Sequence, residues 1–234
     1  MLALPFILSA LGGYLLGSIP FGLVLTRVAG VGDIRQIGSG NIGATNAAHR
    51  PQDLALATLV LDAAKAGLAL LLAQWIVGAI GGDAVSENTA YQAGLVAGAF
   101  AFLGHCYPVW LRFQGGKGVA TFFGVLFAGL WPVGLMAAIT WLAIATIFRF
   151  SSLAALCAAA IAPIMALVAG FSWEQIAFTL VLAVLIFWRH RANIARLRAG
   201  AEPRIGDGKK KDEAPAAEPA PAPQPAAEAN NAES

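Results

Sequence analysis

Long apolar stretches alternate with short polar segments along this chain. The apolar stretches cover approximately residues 2–26, 54–80, 91–111, 118–148, 151–170 and 174–188. Crossing a hydrocarbon core takes roughly 20 apolar residues, and most of these stretches reach that length. Because lipid offers no partners to backbone polar groups, the pattern predicts α-helices.

The stretch over residues 118–148 is too long for one span. As a single helix it would measure about 45 Å, whereas the hydrocarbon core is roughly 30 Å thick. Most polar segments carry Arg or Lys, but 81–88 and 171–174 carry neither. Basic segments face the cytoplasm, which requires 118–148 to fold back as two short helices that break near 130–132. We therefore predict an all-α polytopic membrane protein of about seven transmembrane helices, some short, with the N-terminus outside and the C-terminus cytoplasmic.

The composition changes after residue 202. Overall the chain is 58% hydrophobic and 12% charged, but from residue 203 Pro, Ala, Glu and Lys dominate. Such a composition cannot bury a core, so we predict a seven-helix transmembrane catalytic domain over 1–202 and a disordered cytoplasmic tail over 203–234. Residues 2–26 lack the basic start and cleavage site of a signal peptide and are interpreted as a retained span. The net charge of +2 gives no support to nucleic-acid binding.

Glycines at helical spacing predict close helix contacts. The pairs Gly13/Gly17 and Gly94/Gly98 have the small-x-x-x-small spacing that lets backbones approach. The segment 17–22, Gly-Ser-Ile-Pro-Phe-Gly, predicts a break in the first span. This break is either a simple kink or a substrate contact.

Two glycine-rich segments predict anion sites. Residues 38–46 read Gly-Ser-Gly-Asn-Ile-Gly-Ala-Thr-Asn, which can direct backbone N–H groups and neutral side-chain donors at a phosphate. Gly115-Gly116-Lys117-Gly118 leads into a predicted helix N-terminus, which favours an anion, and adds a cation. The Walker spacing is absent, so nucleotide hydrolysis has no support. The alternative interpretation of the first segment is a turn of small residues between two helices, which is the less favoured of the two.

The segment after the last span also carries candidate chemistry. If the last helix continues through this segment, His190 and Asn193 share a face at three-residue spacing, and Arg189 and Arg196 lie two turns apart. The alternative interpretation is a row of arginines that meets lipid head groups. Asn and His on one face favour a site.

Three further polar positions leave alternatives open. Asp62 and Lys65 are expected to neutralise each other within the second span. His105 is either hydrogen-bonded to a neighbouring helix or catalytic, and Ser152 either caps a helix or donates to a ligand. No pattern of nucleophile and base or of metal ligands is present, so we predict neither a metal nor a cofactor.

Residues 17–20, 38–46, 104–121 and 190–202 together closely resemble the motifs of the bacterial acyl-phosphate-dependent glycerol-3-phosphate acyltransferases, the PlsY family. The resemblance covers residues 1 to about 205. It implies transfer of a fatty acyl chain from acyl phosphate to sn-glycerol 3-phosphate, giving lysophosphatidate and inorganic phosphate, the first acylation of phospholipid synthesis. It also implies a bacterial inner-membrane enzyme with a cytoplasmic active site. The expected partners are both substrates, membrane lipids and an enzyme that produces acyl phosphate.

The resemblance assigns roles to individual residues. Those implied at the reaction centre are Lys117, Ser152, His190 and Asn193. Those implied in substrate or phosphate binding are Ser39, Gly40, Asn41, Asn46, Arg50, Gly116, Arg189 and Arg196. The family usually has Arg three residues after the Asn that ends the first loop, but here His49 stands there and Arg50 follows, so either could reach substrate.

The mechanism expected from these residues has two open forms. Either His190, oriented by Asn193, or a substrate phosphate oxygen accepts the glycerol hydroxyl proton while Lys117 and loop amides neutralise the leaving phosphate. A membrane transporter of organophosphates is the alternative function, although the inverted repeat frequent in transporters is missing. A structural scaffold would leave the glycine-rich loops unexplained. A family of acyltransferases marked by His-x-x-x-x-Asp is excluded, because only three residues separate His49 and Asp53.

Overall fold

The computed structural model describes residues 3–30 and 52–206, without the side chains of Gln52 and Asp83. Apart from turns and two short 3₁₀ segments, Gly82–Ala84 and Val109–Leu111, the regular structure in these ranges is α-helical. The helices are α1 (Ala3–Gly17), α2 (Phe21–Val28), α3 (Gln52–Gly81), α4 (Glu87–Cys106), α5 (Val119–Gly129), α6 (Trp131–Phe148), α7 (Ser151–Val168), α8 (Trp173–Arg189) and α9 (Arg191–Arg198). The predicted all-α class is therefore confirmed. The first glycine-rich loop, with Ser39, Gly40, Asn41, Asn46, His49 and Arg50, lies outside the described residues.

Within those ranges, five helical segments are long and apolar enough to cross a membrane. They are Ala3–Val28, Asp53–Gly81, Glu87–Leu111, Trp131–Phe148 and Ser151–Val168. Helices α8 and α9 meet at an angle of 61° and make a sixth if they form one broken span. The count of seven and the orientation of the termini stay predictions.

The predicted break in the long apolar stretch is confirmed. Helix α5 ends at Gly129 and α6 begins at Trp131, with Leu130 between them in a non-helical conformation. Pro132 lies in the first turn of α6, where its missing N–H costs no intrahelical hydrogen bond. Because α5 has only 11 residues, it is about 16 Å long and shorter than a full span. The two helices contact each other beyond the break, where Gly134 lies close to Leu126 and Phe127.

Small residues set the closest helix contacts, as the glycine spacing predicted. A Cβ at Gly13 or Gly17 would overlap the backbone of Ala97 or Ala101 on α4. A Cβ at Gly94 would come within 2.9 Å of the Leu70 carbonyl oxygen on α3. Since water is absent from the hydrocarbon core, such van der Waals contact contributes much of the helix association there.

The centre of the bundle is apolar and so is much of its outer surface. Phe102, Phe122 and Leu126 pack in a buried cluster with residues of α3, α7 and α8. Large apolar side chains such as Trp75 and Ile80 point outward. A soluble protein rarely exposes so much apolar surface, whereas lipid tails accept it. The predicted polar site residues Ser152, Asn193 and Arg196 lie together at one end of the helices.

Candidate active site

Chain segments that lie far apart in sequence meet at one end of the bundle: the end of α4, the loop before α5, the start of α7, and α8 and α9. They hold the site residues predicted within the described ranges, which are Gly116, Lys117, Ser152, Arg189, His190, Asn193 and Arg196. At the other end, the Tyr91 hydroxyl donates to the Gly129 carbonyl at 2.9 Å and accepts from Gln175 at 2.8 Å. None of the predicted site residues within 3–30 and 52–206 lies at that end.

The glycine loop before α5 lies directly on the end of α4. The amide of Gly115 donates to the Cys106 carbonyl at 3.1 Å, and that of Gly116 to the His105 carbonyl at 3.0 Å. A Cβ at Gly118 would overlap the Phe102 ring, and φ there is +84°. A side chain is therefore excluded for both steric and backbone reasons. The loop delivers Lys117 to the N-terminus of α5.

Arg189 clamps this loop from the other side. Its Nε donates to the Gly116 carbonyl at 3.0 Å and its Nη2 to the Gly115 carbonyl at 2.8 Å. The guanidinium also stacks over the Tyr107 ring, with its central carbon 4.9 Å from the ring centroid. These contacts make Arg189 a positioning residue of the loop, while its predicted contact with phosphate stays a prediction.

Glu202 joins three of the predicted residues. Its Oε1 accepts hydrogen bonds from Ser152 Oγ and Asn193 Nδ2, each at 2.6 Å, and its Oε2 accepts from Arg196 Nε at 2.7 Å. Burial raises the pKa of this carboxyl, but these donors outweigh burial and hold the pKa below its ordinary value. Ser152 is thus bound to Glu202, and the N-cap position of α7 belongs to Phe150.

Glu202 was not predicted as a site residue, although the terminal motif ends on it. The one signal available was its sign: it is the only acidic residue between Arg189 and Arg204 in a segment rich in arginine. A carboxylate among cations and amides is the natural centre of a hydrogen-bond network.

Lys117 is half-buried beside this network. Burial lowers the pKa of its ammonium group, and the neighbouring Arg196 and Arg189 lower it further, whereas the Glu202 carboxylate raises it. Within the described ranges its Nζ has no hydrogen bond and no ion pair. The cation is therefore available to an anionic ligand.

His190 occupies the bend between α8 and α9 and is 2% exposed. Its Nδ1 lies 2.8 Å from the Ile186 carbonyl oxygen. A carbonyl can only accept, so Nδ1 carries the proton and Nε2 presents a lone pair. The expectation that Asn193 orients His190 is corrected here, because the Ile186 carbonyl holds the ring and the Asn193 amide is bound to Glu202.

No group of three or more His, Cys, Asp or Glu side chains within 3–30 and 52–206 is arranged to hold a metal ion. The expected pairing of Asp62 with Lys65 is confirmed at 2.8 Å. Of the two interpretations of His105, the structure shows a contact with a neighbouring helix, since its Nδ1 lies 3.1 Å from Lys65 Nζ on α3.

The fold and this cluster define an integral membrane protein with a cationic, hydrogen-bonded site at one end of a helical bundle. Residues 7–200 match the family model described as glycerol-3-phosphate acyltransferase. The chain belongs to this family, the PlsY family of membrane acyltransferases, which serves phospholipid synthesis.

Curated relatives extend the match over nearly the whole chain. A glycerol-3-phosphate acyltransferase of Maricaulis maris is 59% identical over 205 residues, covering 87% of this chain and 88% of the relative. One of Caulobacter vibrioides (strain NA1000 / CB15N) is 54% identical over 215 residues, covering 92% and 94%.

Two solved structures have the same fold. Both are crystal structures of PlsY (YgiH), an integral membrane glycerol 3-phosphate acyltransferase. The glycerol 3-phosphate form matches with a TM-score of 0.76 at 35% identity, covering 88% of this chain and 98% of that one. The lysophosphatidic acid form matches with a TM-score of 0.74 at 35% identity, covering 86% and 95%.

Proposed function

We propose that this chain transfers a fatty acyl group from acyl phosphate to glycerol 3-phosphate, giving lysophosphatidate and inorganic phosphate. One observation carries the proposal: Lys117 on a glycine loop and His190 lie at the same end of the bundle, and among the described residues neither the lysine ammonium nor the histidine Nε2 has a hydrogen-bond partner. The glycerol 3-phosphate and lysophosphatidic acid forms of the related structure support the acceptor and the product.

Among the described residues no side chain is paired with a base as a covalent nucleophile, which favours an activated donor. Acyl phosphate is a mixed anhydride, and its phosphate is a good leaving group. The acceptor hydroxyl oxygen attacks the acyl carbonyl carbon, the bond from that carbon to the phosphate oxygen breaks, and phosphate leaves with the electron pair. Orientation and charge neutralisation then supply most of the rate.

Lys117 and the glycine loop neutralise the phosphate. The Lys117 ammonium has no other partner among the described residues, and the N-terminus of α5 adds a partial positive charge. Arg189 holds the loop carbonyls, so the loop keeps one shape when the anion binds and leaves. The first glycine-rich loop, with Ser39, Gly40, Asn41, Asn46 and either His49 or Arg50, supplies further donors in this proposal.

His190 Nε2 is the group we assign to the hydroxyl proton. The Ile186 carbonyl fixes the tautomer whose Nε2 can accept a proton. A substrate phosphate oxygen is the other acceptor. Ser152 and Asn193, held by Glu202, place polar groups around the reacting atoms.

The acyl chain has a matching groove between α1 and α3. This apolar groove of about 410 Å³ runs from Leu16 and Ala69 toward Gly81 and Val85. Ala69 lies one helical turn from Lys65, so the groove begins near the polar end of the bundle. We assign the acyl tail to it. If so, Ala73→Phe shifts the preferred acyl phosphate toward shorter chains, whereas an unchanged chain-length profile refutes this assignment.

We place the site at the cytoplasmic face of the bacterial inner membrane, as the distribution of basic residues predicted. Arg112 and Arg149 directly follow helical segments, and Arg189 is the last residue of α8, all on the side that holds the site. The acyl phosphate then comes from an enzyme in the cytoplasm.

The test is release of inorganic phosphate from acyl phosphate by the purified protein in detergent. We expect release only with glycerol 3-phosphate present, one phosphate per lysophosphatidate formed. Lys117→Met should abolish most of it, and Arg198→Met, which removes an exposed cation, should not. Exchange of glycerol 3-phosphate across proteoliposomes without product formation would instead support the transporter.

A further inference from the structure

A cluster of charged and polar side chains is buried next to the site but has no part in the mechanism above. Asp62 and Lys65 come from α3 and His105 from α4, and each is 2–4% exposed. Lys65 Nζ lies 2.8 Å from Asp62 Oδ1, 3.1 Å from His105 Nδ1 and 2.7 Å from the Ile19 carbonyl oxygen. We call Asp62, Lys65 and His105 the buried triad.

The Lys65 ammonium decides which His105 nitrogen accepts. Lys65 Nζ contacts the Ile19 carbonyl oxygen and His105 Nδ1 and forms an ion pair with Asp62 Oδ1, which itself lies 3.6 Å from His105 Nδ1. An ammonium group can only donate, so Nδ1 accepts in its contact with Lys65 and the ring proton lies on Nε2. The ring orientation is set by Lys65, and Lys65 is set in turn by Asp62 and Ile19.

The other edge of this ring lies against the glycine loop. A Cβ at Gly116 would overlap His105 Nε2, and the Gly116 amide donates to the His105 carbonyl. On its other side, the Gly116 carbonyl accepts from Arg189. Gly116 is thus held between His105 and Arg189, and the next residue is Lys117.

The triad also reaches the break between α1 and α2. Ser18, Ile19 and Pro20 interrupt the first span, and the Ile19 carbonyl there accepts from Lys65. The Lys65 ammonium on α3 therefore contacts both α4, through His105, and the break between α1 and α2, through Ile19.

Stability alone does not explain charges in this position. Replacing a buried ion pair by apolar side chains of similar volume is often neutral or stabilising, and charged residues within membrane spans usually serve function. We propose that the buried triad is a positioning device for the glycine loop: Lys65 fixes the His105 ring, the ring fixes Gly116, and Gly116 fixes Lys117. The proposal rests on the proposed function only for its readout of turnover.

The main test is the double variant Asp62→Leu/Lys65→Met, which removes both charges together and leaves neither unpaired. We expect its thermal midpoint in detergent to stay close to that of the parent. We expect its KM for glycerol 3-phosphate to rise about tenfold or more, because loss of orientation at a site is costly in rate and affinity. Calorimetric binding of glycerol 3-phosphate should weaken by a similar factor, and this readout does not depend on turnover.

A double-variant cycle tests the route through Lys117. Adding Asp62→Leu/Lys65→Met to Lys117→Met should give no further loss of glycerol 3-phosphate affinity, whereas independent effects would multiply. His105→Asn supplies a second variant, since it can retain an acceptor for Lys65 but lacks the ring edge that touches Gly116. It should weaken binding while it keeps the fold.

Thr58→Val is the matched control. Thr58 is also buried on α3, but among the described residues its hydroxyl bonds only within its own helix, to the Leu54 carbonyl at 2.7 Å. Its affinity for glycerol 3-phosphate should equal that of the parent. Parent-like affinity in both Asp62→Leu/Lys65→Met and His105→Asn overturns the triad proposal. A parent protein that binds glycerol 3-phosphate but releases no phosphate from acyl phosphate overturns the proposed function and leaves the triad measurable by binding.

Discussion

Replacing Glu202 by glutamine removes one negative charge from the centre of the network and keeps the shape of the side chain. In the parent, Oε1 accepts from Ser152 and Asn193 and Oε2 accepts from Arg196. All three partners are donors. An amide has only one oxygen, so its NH₂ group must face at least one of them.

The structure allows an estimate of the loss. A hydrogen bond to a charged group contributes about 1.5–3 kcal/mol and a neutral one about 0.5–1.5 kcal/mol. With the amide oxygen turned to Ser152 and Asn193, two bonds weaken by about 1 kcal/mol each. Arg196 loses its ion pair, but its side chain is 38% exposed and can be hydrated instead. We expect a loss of about 2–3 kcal/mol in the free energy of unfolding.

The same free energy bounds the effect on turnover. If the loss appears as misplacement of Asn193 and Ser152 in the transition state, kcat/KM falls by up to about 30- to 150-fold, at 1.36 kcal/mol per factor of ten. The assay is phosphate release with saturating acyl phosphate and varied glycerol 3-phosphate, together with thermal unfolding of the same preparations.

The lowered pKa of Glu202 also predicts the direction in which the free energy of unfolding changes with pH. The pKa of Glu202 is lower in the folded protein than the ordinary 4.5, so its stabilisation is present above the unfolded pKa and is lost as pH falls through the folded pKa. The difference in stability between parent and Glu202→Gln should be constant near neutral pH and shrink at acid pH. Glu87→Gln, an exposed carboxylate at the opposite end, is the control. Parent-like kcat/KM and stability at neutral pH, or a difference that persists unchanged in acid, would refute the reasoning.

Three further predictions concern the loop, the helix packing and the opposite end. Burial lowers the pKa of Lys117, so the affinity for glycerol 3-phosphate should decline as pH rises, and the decline should begin at a lower pH than for an ordinary lysine. In a series of KM measurements against pH, Lys117→Met should bind weakly and should not show this decline. Parallel pH profiles for parent and variant would contradict the prediction. Gly17→Val should cost about 1–3 kcal/mol of stability by thermal unfolding because its side chain meets the α4 backbone, whereas Gly12→Ala, which faces open space, should be neutral or stabilising. Tyr91→Phe should cost about 1–2 kcal/mol of stability and leave kcat/KM unchanged. A loss of turnover in this variant would contradict the assignment of the active site to the other end of the bundle.

The helical class and the break near Leu130 could be predicted because both depend on local sequence. The free energy of transferring a helix into lipid is close to a sum over its residues, so length and apolar composition identify a span. The glycine pair Gly13/Gly17 is equally local, since small-residue spacing alone permits close approach. Helix α5 has only 11 residues, which is too short for a full span, so helix length alone does not decide how many spans the protein has.

Candidate site residues were found where the residue type itself indicates the chemistry. Lys117 follows two glycines before a helix, and His190 and Asn193 lie three positions apart in a polar segment after an apolar span. The expected continuous helix through both residues is wrong, because His190 lies at the 61° bend before α9, which holds Asn193. Their proposed roles depend on partners that sequence spacing does not specify. The tautomer of His190 follows from the Ile186 carbonyl, and the bonds of Asn193 follow from Glu202.

By itself, the sequence determined that this is a helical membrane protein, that the stretch over 118–148 breaks near Leu130, and which residues are chemically suited to bind a phosphate. Only the tertiary structure decided that Arg189 clamps the glycine loop, that Glu202 joins three site residues, and that Lys65 reaches His105, 40 positions away. These contacts join side chains on different elements, so they depend on how each helix is rotated and displaced against its neighbours. That geometry is set by the packing of the whole bundle and leaves no periodic signal in any single segment.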